Sequence, residues 1–553
     1  MTQNVQTEGA PPGSGSGAGD KGLKGGALGL VASVVIGMSS TAPAYSLAAT
    51  LGFIVVAVGV KAPAVILLAF IPMYLIALAY QELNKAEPDC GTTFTWASRA
   101  FGPWVGWLGG WGIIAADIIV MANLAQIAGS YSYKLVGADG LADSTLWSTV
   151  AGVIWIAIMT YICYRGVEVS ARMQYALLGI ELVLLIAFAV IALAKVWSGN
   201  GVGTSIHPGL SWFWPGGLGV SDLVEATLLA VFIYWGWDTA VACNEETADP
   251  EKTPGRAAIL STVLLLVTYG LVATAATAFA GVGTKGIGLG NPDNGDDIFN
   301  ALGPAVFGHS FVGKTFEVLL LISVLTSASA STQTTIMPTA RTALSMGAYR
   351  AIPRSFARIH PRYLTPTVAT IWMGALSIVF YVGLTLVSQN VLGDSISSVG
   401  LMIAFYYGIT GFACVWFYRK QLTKSARSFW MQGVLPGLGG LMLLAAFLKS
   451  AYDYSKADAG STTLGGVGGV FVIGIGTLVL GALLMIGYAF VAPAFFRGQT
   501  LVKGASDLVL VGTERDPVFG LPDSGDQSIV IAPDLSNEPP TVPPEDVVRR
   551  PES

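Results

Sequence analysis

Three features of this sequence predict an all-α polytopic membrane protein with 12 transmembrane helices. Only 11% of its residues are charged and 53% are hydrophobic, where ordinary soluble domains carry about 25% charged residues. Charged positions divide the chain into twelve apolar stretches, each long enough to supply the roughly 20 residues that a helix needs to cross about 30 Å of hydrocarbon. The basic residues between those stretches alternate in abundance, as they do in the loops of a bundle with an even number of crossings. A mean hydropathy of +0.64 agrees.

In chain order the stretches have cores at 27–59, 63–81, 102–133, 146–164, 174–194, 222–244, 258–282, 315–340, 365–388, 396–418, 430–448 and 466–492. An even count puts both termini on one side. Of the 29 Lys and Arg residues, 22 fall on that side, including every arginine. The other side holds Lys61, Lys134, Lys195, Lys285, Lys314, Lys449 and Lys456. The positive-inside rule then predicts a multi-pass protein of the plasma membrane with both termini cytoplasmic. Residues 1–24, rich in Gly, Ser and Pro, read as a disordered tail without the apolar run of a secretory signal. Residues 496–553 read as a second, largely disordered tail, within which "ASDLVLVG" is a candidate strand.

Composition excludes several function classes. A net charge of −5 without a basic block gives no nucleic-acid surface. Four scattered cysteines form no CxxC pair, and the three histidines fall in expected loops, so no metal site and no cofactor are predicted. No Walker-type loop and no catalytic cluster at a membrane edge are present. The expected partners are the lipid bilayer and a small-molecule substrate rather than the reactants of an enzyme.

The first stretch is anomalous. Between Lys24 and Lys61 lie 36 uncharged residues, which as one straight helix would run about 54 Å. Its middle reads "GMSSTAP", where Gly37 permits unusual backbone angles and Pro43 removes a donor. Unpaired peptide groups in hydrocarbon cost several kcal/mol each. A discontinuous helix whose broken ends bind a solute resolves the conflict, with Gly37, Ser39, Ser40 and Thr41 as site residues. The second half-helix would offer free N–H groups to a carboxylate and the first would offer carbonyls to a cation or ammonium. A Pro-kinked helix packed by small residues is the plainer alternative.

The sixth stretch carries a similar mark, "VFIYWGWDTAVACNEET". Gly236 lies between Trp235 and Trp237, with Tyr234 before them and Asp238 after. Interruptions five helices apart point to a midplane transport site between two inverted repeats.

At this point the chain resembles the amino acid–polyamine–organocation (APC) superfamily, bacterial amino acid permease type. The likeness rests on "YQELNKAEPDCGTTFTWASRAFGPWVGWLGGW" (80–111), "YRGVEVSARMQ" (164–174), "YWGWDTAVACNEETADPEKTPGRA" (234–257) and "TSASASTQTTIMPTARTALSMGAYRAIPRSFARIHPRYLTPTVA" (326–369). It implies one transporter domain over 25–495. Within it, repeat one covers about 25–196, repeat two about 219–420, and two extra helices about 428–495. It also implies substrate binding at the interrupted first and sixth helices. The usual Gly-Ser/Thr-Gly of the first helix is replaced here by Gly37-Met38-Ser39-Ser40-Thr41, a bulkier cradle.

Each ionisable group at a helix centre costs about 2.5–3.5 kcal/mol on the insertion scale and needs a reason. Glu181 is the candidate proton-coupling group, or else a structural carboxylate bonded to Ser329 or Ser331. Ser329, Ser331 or Thr332 could also join first-helix carbonyls around Na⁺, or these small residues serve only close packing, so H⁺ leads and Na⁺ is the alternative coupling ion. Asp117 is a candidate contact for a substrate amine, or a partner for a neighbouring polar group. Asp238 is read as an anchor of the second interruption. The expected function is secondary active transport of an amino acid by alternating access, or of a polyamine or other organic amine by the same fold.

Overall fold

The computed structural model describes residues 21–501 except 296, 309, 389, 458, 460 and 461, together with residues 510–511. The first apolar stretch is shared by α1 (Leu30–Thr41) and α2 (Pro43–Val58), and α3 (Ala62–Ala86) follows. A short α4 (Thr93–Phe101) leads into α5 (Pro103–Lys134), then the single turn α6 (Asp139–Ala142), α7 (Thr145–Arg165) and α8 (Val167–Trp197). The middle of the chain holds α9 (Val220–Tyr234), the single turn α10 (Thr239–Ala242), α11 (Thr253–Ala280) and α12 (Ile298–Phe307). The 38-residue α13 (Phe311–Ala348) precedes α14 (Thr367–Val387) and α15 (Val391–Tyr418). Short α16 (Ala426–Ser428), α17 (Leu435–Tyr454), α18 (Gly469–Val491) and α19 (Pro493–Phe496) complete the helices.

Ten segments among the described residues are long and apolar enough to cross a membrane. Sequence reading expects twelve, and two local causes separate the numbers. By length and hydropathy, Leu30–Ala86 counts as one segment, although α1, α2 and α3 all lie within it. The stretch at 222–244 is divided, because α9 has only 15 residues before the chain leaves the helix.

Packing places α13 at the centre, against α1, α5 and α8, while α11 packs along α3 and α15 along α5 and α17. Small residues set the closest approaches. A Cβ on Gly152 of α7 would stand 2.6 Å from the Ala125 carbonyl oxygen of α5. In a bilayer such contacts, rather than hydrophobic exclusion, hold helices together.

The expected tails lie largely outside the described residues, but their inner ends do not behave as tails. Lys21 is buried, and Phe496 is buried beside Phe495. Thr500 donates to the Tyr349 carbonyl at 2.6 Å. Within "ASDLVLVG", β4 (Leu510–Val511) pairs in parallel with β1 (Arg358–Ile359), in the connection between α13 and α14. Lys21 and Phe496 thus pack against the rest of the bundle, because a buried charge finds carboxylates there and an aromatic ring finds Phe495. A small hairpin of β2 (Thr463–Leu464) and β3 (Val467–Gly468) precedes α18.

Candidate functional site

The first interruption is narrower than "GMSSTAP" suggests. Residues Gly37 to Thr41 remain in α1, and the break is Ala42 alone, at φ 48 and ψ 67. Pro43 is the first residue of α2, where its missing N–H costs nothing. A proline also steers the residue before it away from helical angles, so the break falls one position ahead of Pro43.

Side chains settle nearly every peptide group this break frees. Thr41 Oγ1 donates to the Met38 carbonyl at 2.7 Å, and the Ala42 amide to that of Ser39 at 3.2 Å. Ser331 Oγ donates to the Ser40 carbonyl at 2.8 Å, and Ser46 Oγ to that of Thr41 at 2.6 Å. On the α2 side, the Ala44 amide donates to Glu181 Oε1 at 2.6 Å and the Tyr45 amide to Ser327 Oγ at 3.3 Å. The N-terminus of α2, expected to await a ligand carboxylate, therefore holds a carboxylate of the protein itself. That carboxylate's serine partner is Ser327, at 2.7 Å, and not Ser329 or Ser331. Ser331 instead binds the α1 carbonyl, and the buried Ser329 hydroxyl has no partner among the described residues. Spacing explains the difference. Ser327 and Ser331 are four apart and share a face of α13, whereas Ser329 points elsewhere.

The second interruption spans Trp235 to Asp238. The Trp235 amide reaches back to Phe232, and helical bonding resumes with Thr239 donating to Gly236. Asp238 Oδ2 accepts from the Tyr406 hydroxyl at 2.9 Å, and Trp235 Nε1 donates to the same hydroxyl. Among the described residues no well-formed hydrogen bond reaches the amides of Gly236 and Trp237 or the carbonyls of Tyr234 and Trp235. Trp237 Nε1 and the Tyr234 hydroxyl are likewise buried without partners. The Trp237 ring meets Tyr80 edge-on at 5.1 Å and Tyr407 at 5.2 Å.

The two interruptions touch. Gly236, at φ 120, lies so close to α1 that a Cβ there would stand 2.7 Å from the Ser40 carbonyl carbon. Only glycine combines that angle with that approach. Ser40 Oγ and Thr239 Oγ1 share a hydrogen bond at 2.9 Å, and Gly37 faces the Trp237 carbonyl. Gly37, Ser40, Thr41, Gly236 and Trp237 thus converge at the junction of the two breaks. Trp235 turns toward Tyr406, and Tyr234 packs on Tyr269 at 5.2 Å. The Ser39 hydroxyl is buried and has no partner among the described residues. Asp117 is buried on α5 and accepts from Thr339 Oγ1 of α13. Ser327, Thr239 and Tyr406 are the contacts that sequence reading missed.

One end of the bundle is locked below this junction. Leu28 bridges the chain beyond α10, donating to the Glu246 carbonyl at 3.0 Å and accepting from the Ala248 amide at 2.9 Å. Lys21 Nζ lies 2.9 Å from Asp89 and 2.5 Å from Glu245, and Arg341 pairs with Glu246 at 2.5 Å. Burial alone would raise the Asp89 carboxyl. The Lys21 ammonium and the Gly91 amide overcome it and hold the carboxyl at about 2. The same burial raises Glu245, with Lys21 opposing. The Lys21–Asp89 pair therefore stays charged across neutral and mildly acidic pH, and its contribution is lost only as pH falls toward about 2.

Comparisons with known proteins agree with this architecture. A family model described as amino acid permease matches residues 28–500. The low-affinity putrescine importer PlaP of Escherichia coli (strain K12) is 24% identical over 426 residues, covering 76% of this chain and 88% of its own. An uncharacterized transporter of Mycobacterium tuberculosis is 26% identical over 444 residues, covering 79% and 89%. The branched-chain amino acid permease BcaP of Bacillus subtilis is 24% identical over 396 residues, covering 68% and 77%. Among solved structures, MhsT in complex with L-phenylalanine superposes with a TM-score of 0.53 at 15% identity, over 75% of this chain and 98% of that one. That likeness shows a shared helical fold.

Proposed function

The chain belongs to the amino acid permease family, and from that membership we propose that it is a secondary active transporter importing an amino acid across the plasma membrane. In this reading the chain crosses the membrane twelve times with cytoplasmic termini. The pair α1/α2 and the pair α9/α10 each act as one discontinuous crossing, at corresponding places in two inverted five-helix repeats. The observation that carries it is the contact between the two interruptions at Gly236 and Ser40. Two broken backbones meeting in the buried middle of a bundle concentrate polar groups where hydrocarbon tolerates none without purpose. Alternating access follows if the halves rock about that junction, and the lock of Lys21, Asp89 and Glu245 opens when the cytoplasmic side does.

Substrate contacts fall to Gly37, Ser39, Ser40, Thr41, Tyr234, Trp235, Gly236 and Trp237, with Asp238 anchoring the second break through Tyr406. Glu181 carries the coupling proton. Its bonds to the Ala44 amide and Ser327 tie its charge state to the geometry of the first break. Protonation removes the negative charge from the N-terminus of α2 and frees that end for a ligand. Ser331 secures the α1 side, and Ser329 supplies an unused hydroxyl. Na⁺ bound among these oxygens is the competing arrangement.

A polyamine or other organic amine is the second reading, and one observation favours it. The α2 amide that would receive a substrate carboxylate already holds Glu181. Asp117, buried nearby, would then meet the amine. Purified protein in liposomes, offered labelled leucine, lysine, glutamate and putrescine with and without a pH gradient, separates the readings. Gradient-dependent uptake of an amino acid supports the first, and of putrescine alone the second. Uptake of neither in any gradient rejects both.

A further inference from the structure

Glu181 lies two helical turns along α8 from Gln174, about 10 Å, and seven residues bring both to one face. Opposite them, α13 supplies a partner at each level. Ser327 meets Glu181 at 2.7 Å. Gln174 Nε2 donates to the Ala330 carbonyl at 3.2 Å and to Gln333 Oε1 at 2.9 Å. Both glutamines are fully buried. Each nevertheless leaves a polar atom unused, Oε1 of Gln174 and Nε2 of Gln333. One step further from Glu181, Cys163 Sγ contacts the Gln333 carbonyl at 3.2 Å. Cys163 also lines a small recess together with Val167, Ile336, Arg341, Thr365 and Thr370. That recess lies toward the arginine-bearing connections, and the Arg341 charge within it is matched by Glu246.

These groups form an ordered series from Glu181 through the two amides and Cys163 to the recess. A dry structural contact between α8 and α13 would be served better by apolar side chains, because buried amide atoms without partners are costly. Amides with spare donor and acceptor capacity suit a point that water crosses. We propose that the Gln174–Gln333 pair is the inner gate of a hydration route through which the proton held at Glu181 leaves for the cytoplasmic side. The proposal rests on Glu181 being the proton site. In the closed gate the amides bond each other. In the open gate their four polar groups turn to water, and a continuous file joins Glu181 to the recess.

Cys163 is a reporter at the mouth of that file. In protein with Cys90, Cys243 and Cys414 replaced by Ala, a small thiosulfonate reagent is applied to the cytoplasmic face of oriented vesicles. Gln174→Ala and Gln333→Ala should each speed modification of Cys163 at least tenfold. An unchanged rate in both overturns the gate. A second pair of substitutions tests the route without enlarging it. Gln174→Met with Gln333→Met should slow pH-driven uptake at least tenfold while substrate counterflow stays within twofold. PH-driven uptake within twofold of the parent also overturns the proposal. Failure of the underlying reading looks different. If Glu181→Gln retains full pH-driven uptake, Glu181 is not the proton site and the route loses its cargo, whatever the rate at Cys163.

Discussion

The interruption at Ala42 and the interruption at Trp235–Asp238 are in contact, yet their backbones are settled in different ways. At Ala42 the freed carbonyls of residues 38 to 41 accept from Thr41, Ala42, Ser331 and Ser46, and the first amides of α2 donate to Glu181 and Ser327. At the second break Trp235 and Asp238 are held by Tyr406, but among the described residues the amides of Gly236 and Trp237 receive no such partner. The first break is therefore tied to α8 and α13, and a change there is transmitted to both. The second leaves hydrogen-bonding capacity open, which in the proposed reading serves the substrate. A ligand that enters between them gains bonds from the second break and must displace hydroxyls at the first. Such displacement is a physical means of coupling binding to helix movement.

The largest expected effect comes from separating the two breaks. Gly236→Ala places a Cβ within 2.8 Å of the Ser40 carbonyl oxygen, at a φ of 120 that non-glycine residues avoid. Backbone must shift, at a cost of about 2–4 kcal/mol. Uptake should fall at least a hundredfold and the melting temperature should drop. Normal uptake by this variant would show that the contact between breaks has no role.

Next in size is the charge at the first break. Glu181→Gln keeps the shape and an oxygen for the Ala44 amide, so insertion and stability should change little. PH-driven uptake should fall about fiftyfold or more while counterflow exchange partly survives, since exchange needs no net proton movement. Equal losses in the two assays would make Glu181 a structural cap alone.

Much of this arrangement was legible in the sequence, and the rest was hidden for identifiable reasons. Hydropathy marked the helices, and the uncharged run from Lys24 to Lys61 with Pro43 inside it located the first break to within a few residues. The break sits at Ala42 because proline acts on the residue before it, whereas Gly37 and the serines are tolerated in the helix. Near Gly236, α9 ends at Tyr234. Tertiary pairings were harder. Nothing local tells that Thr239 meets Ser40 or that Tyr406 meets Asp238, because each joins residues more than 160 apart. Lys21 reads as tail for the same reason, because its partners Asp89 and Glu245 lie far along the chain, the second of them 224 residues away.

A smaller effect is expected from the open side of the junction. Trp237→Phe keeps the ring among Tyr80 and Tyr407 and removes only the unpartnered Nε1 donor. Folding loses nothing, because that donor satisfies no group. If a ligand oxygen accepts from it, apparent affinity should weaken about tenfold, near 1.4 kcal/mol, with maximal rate unchanged. Unaltered affinity would move the ligand away from Trp237.

The smallest effects form a matched pair on α13 that sharpens the contrast between tied and open groups. Ser327 Oγ donates to Glu181 and accepts from the Tyr45 amide, so Ser327→Ala strands the buried Tyr45 amide and leaves Glu181 Oε1 with the Ala44 amide alone. The cost is about 1–3 kcal/mol, read as a lower melting temperature and a shifted pH profile for uptake. Ser329, two residues on, has a hydroxyl with no partner among the described residues. Ser329→Ala should stay within about 0.5 kcal/mol of the parent and within twofold in H⁺-driven uptake. The same variant tests the ion. Were Na⁺ held there, losing a hard oxygen ligand would weaken Na⁺-dependent uptake severalfold, and Ser329→Ala would then be the more damaging of the two. The order of the pair, measured side by side, therefore decides whether the hydroxyls of α13 serve a carboxylate or a cation.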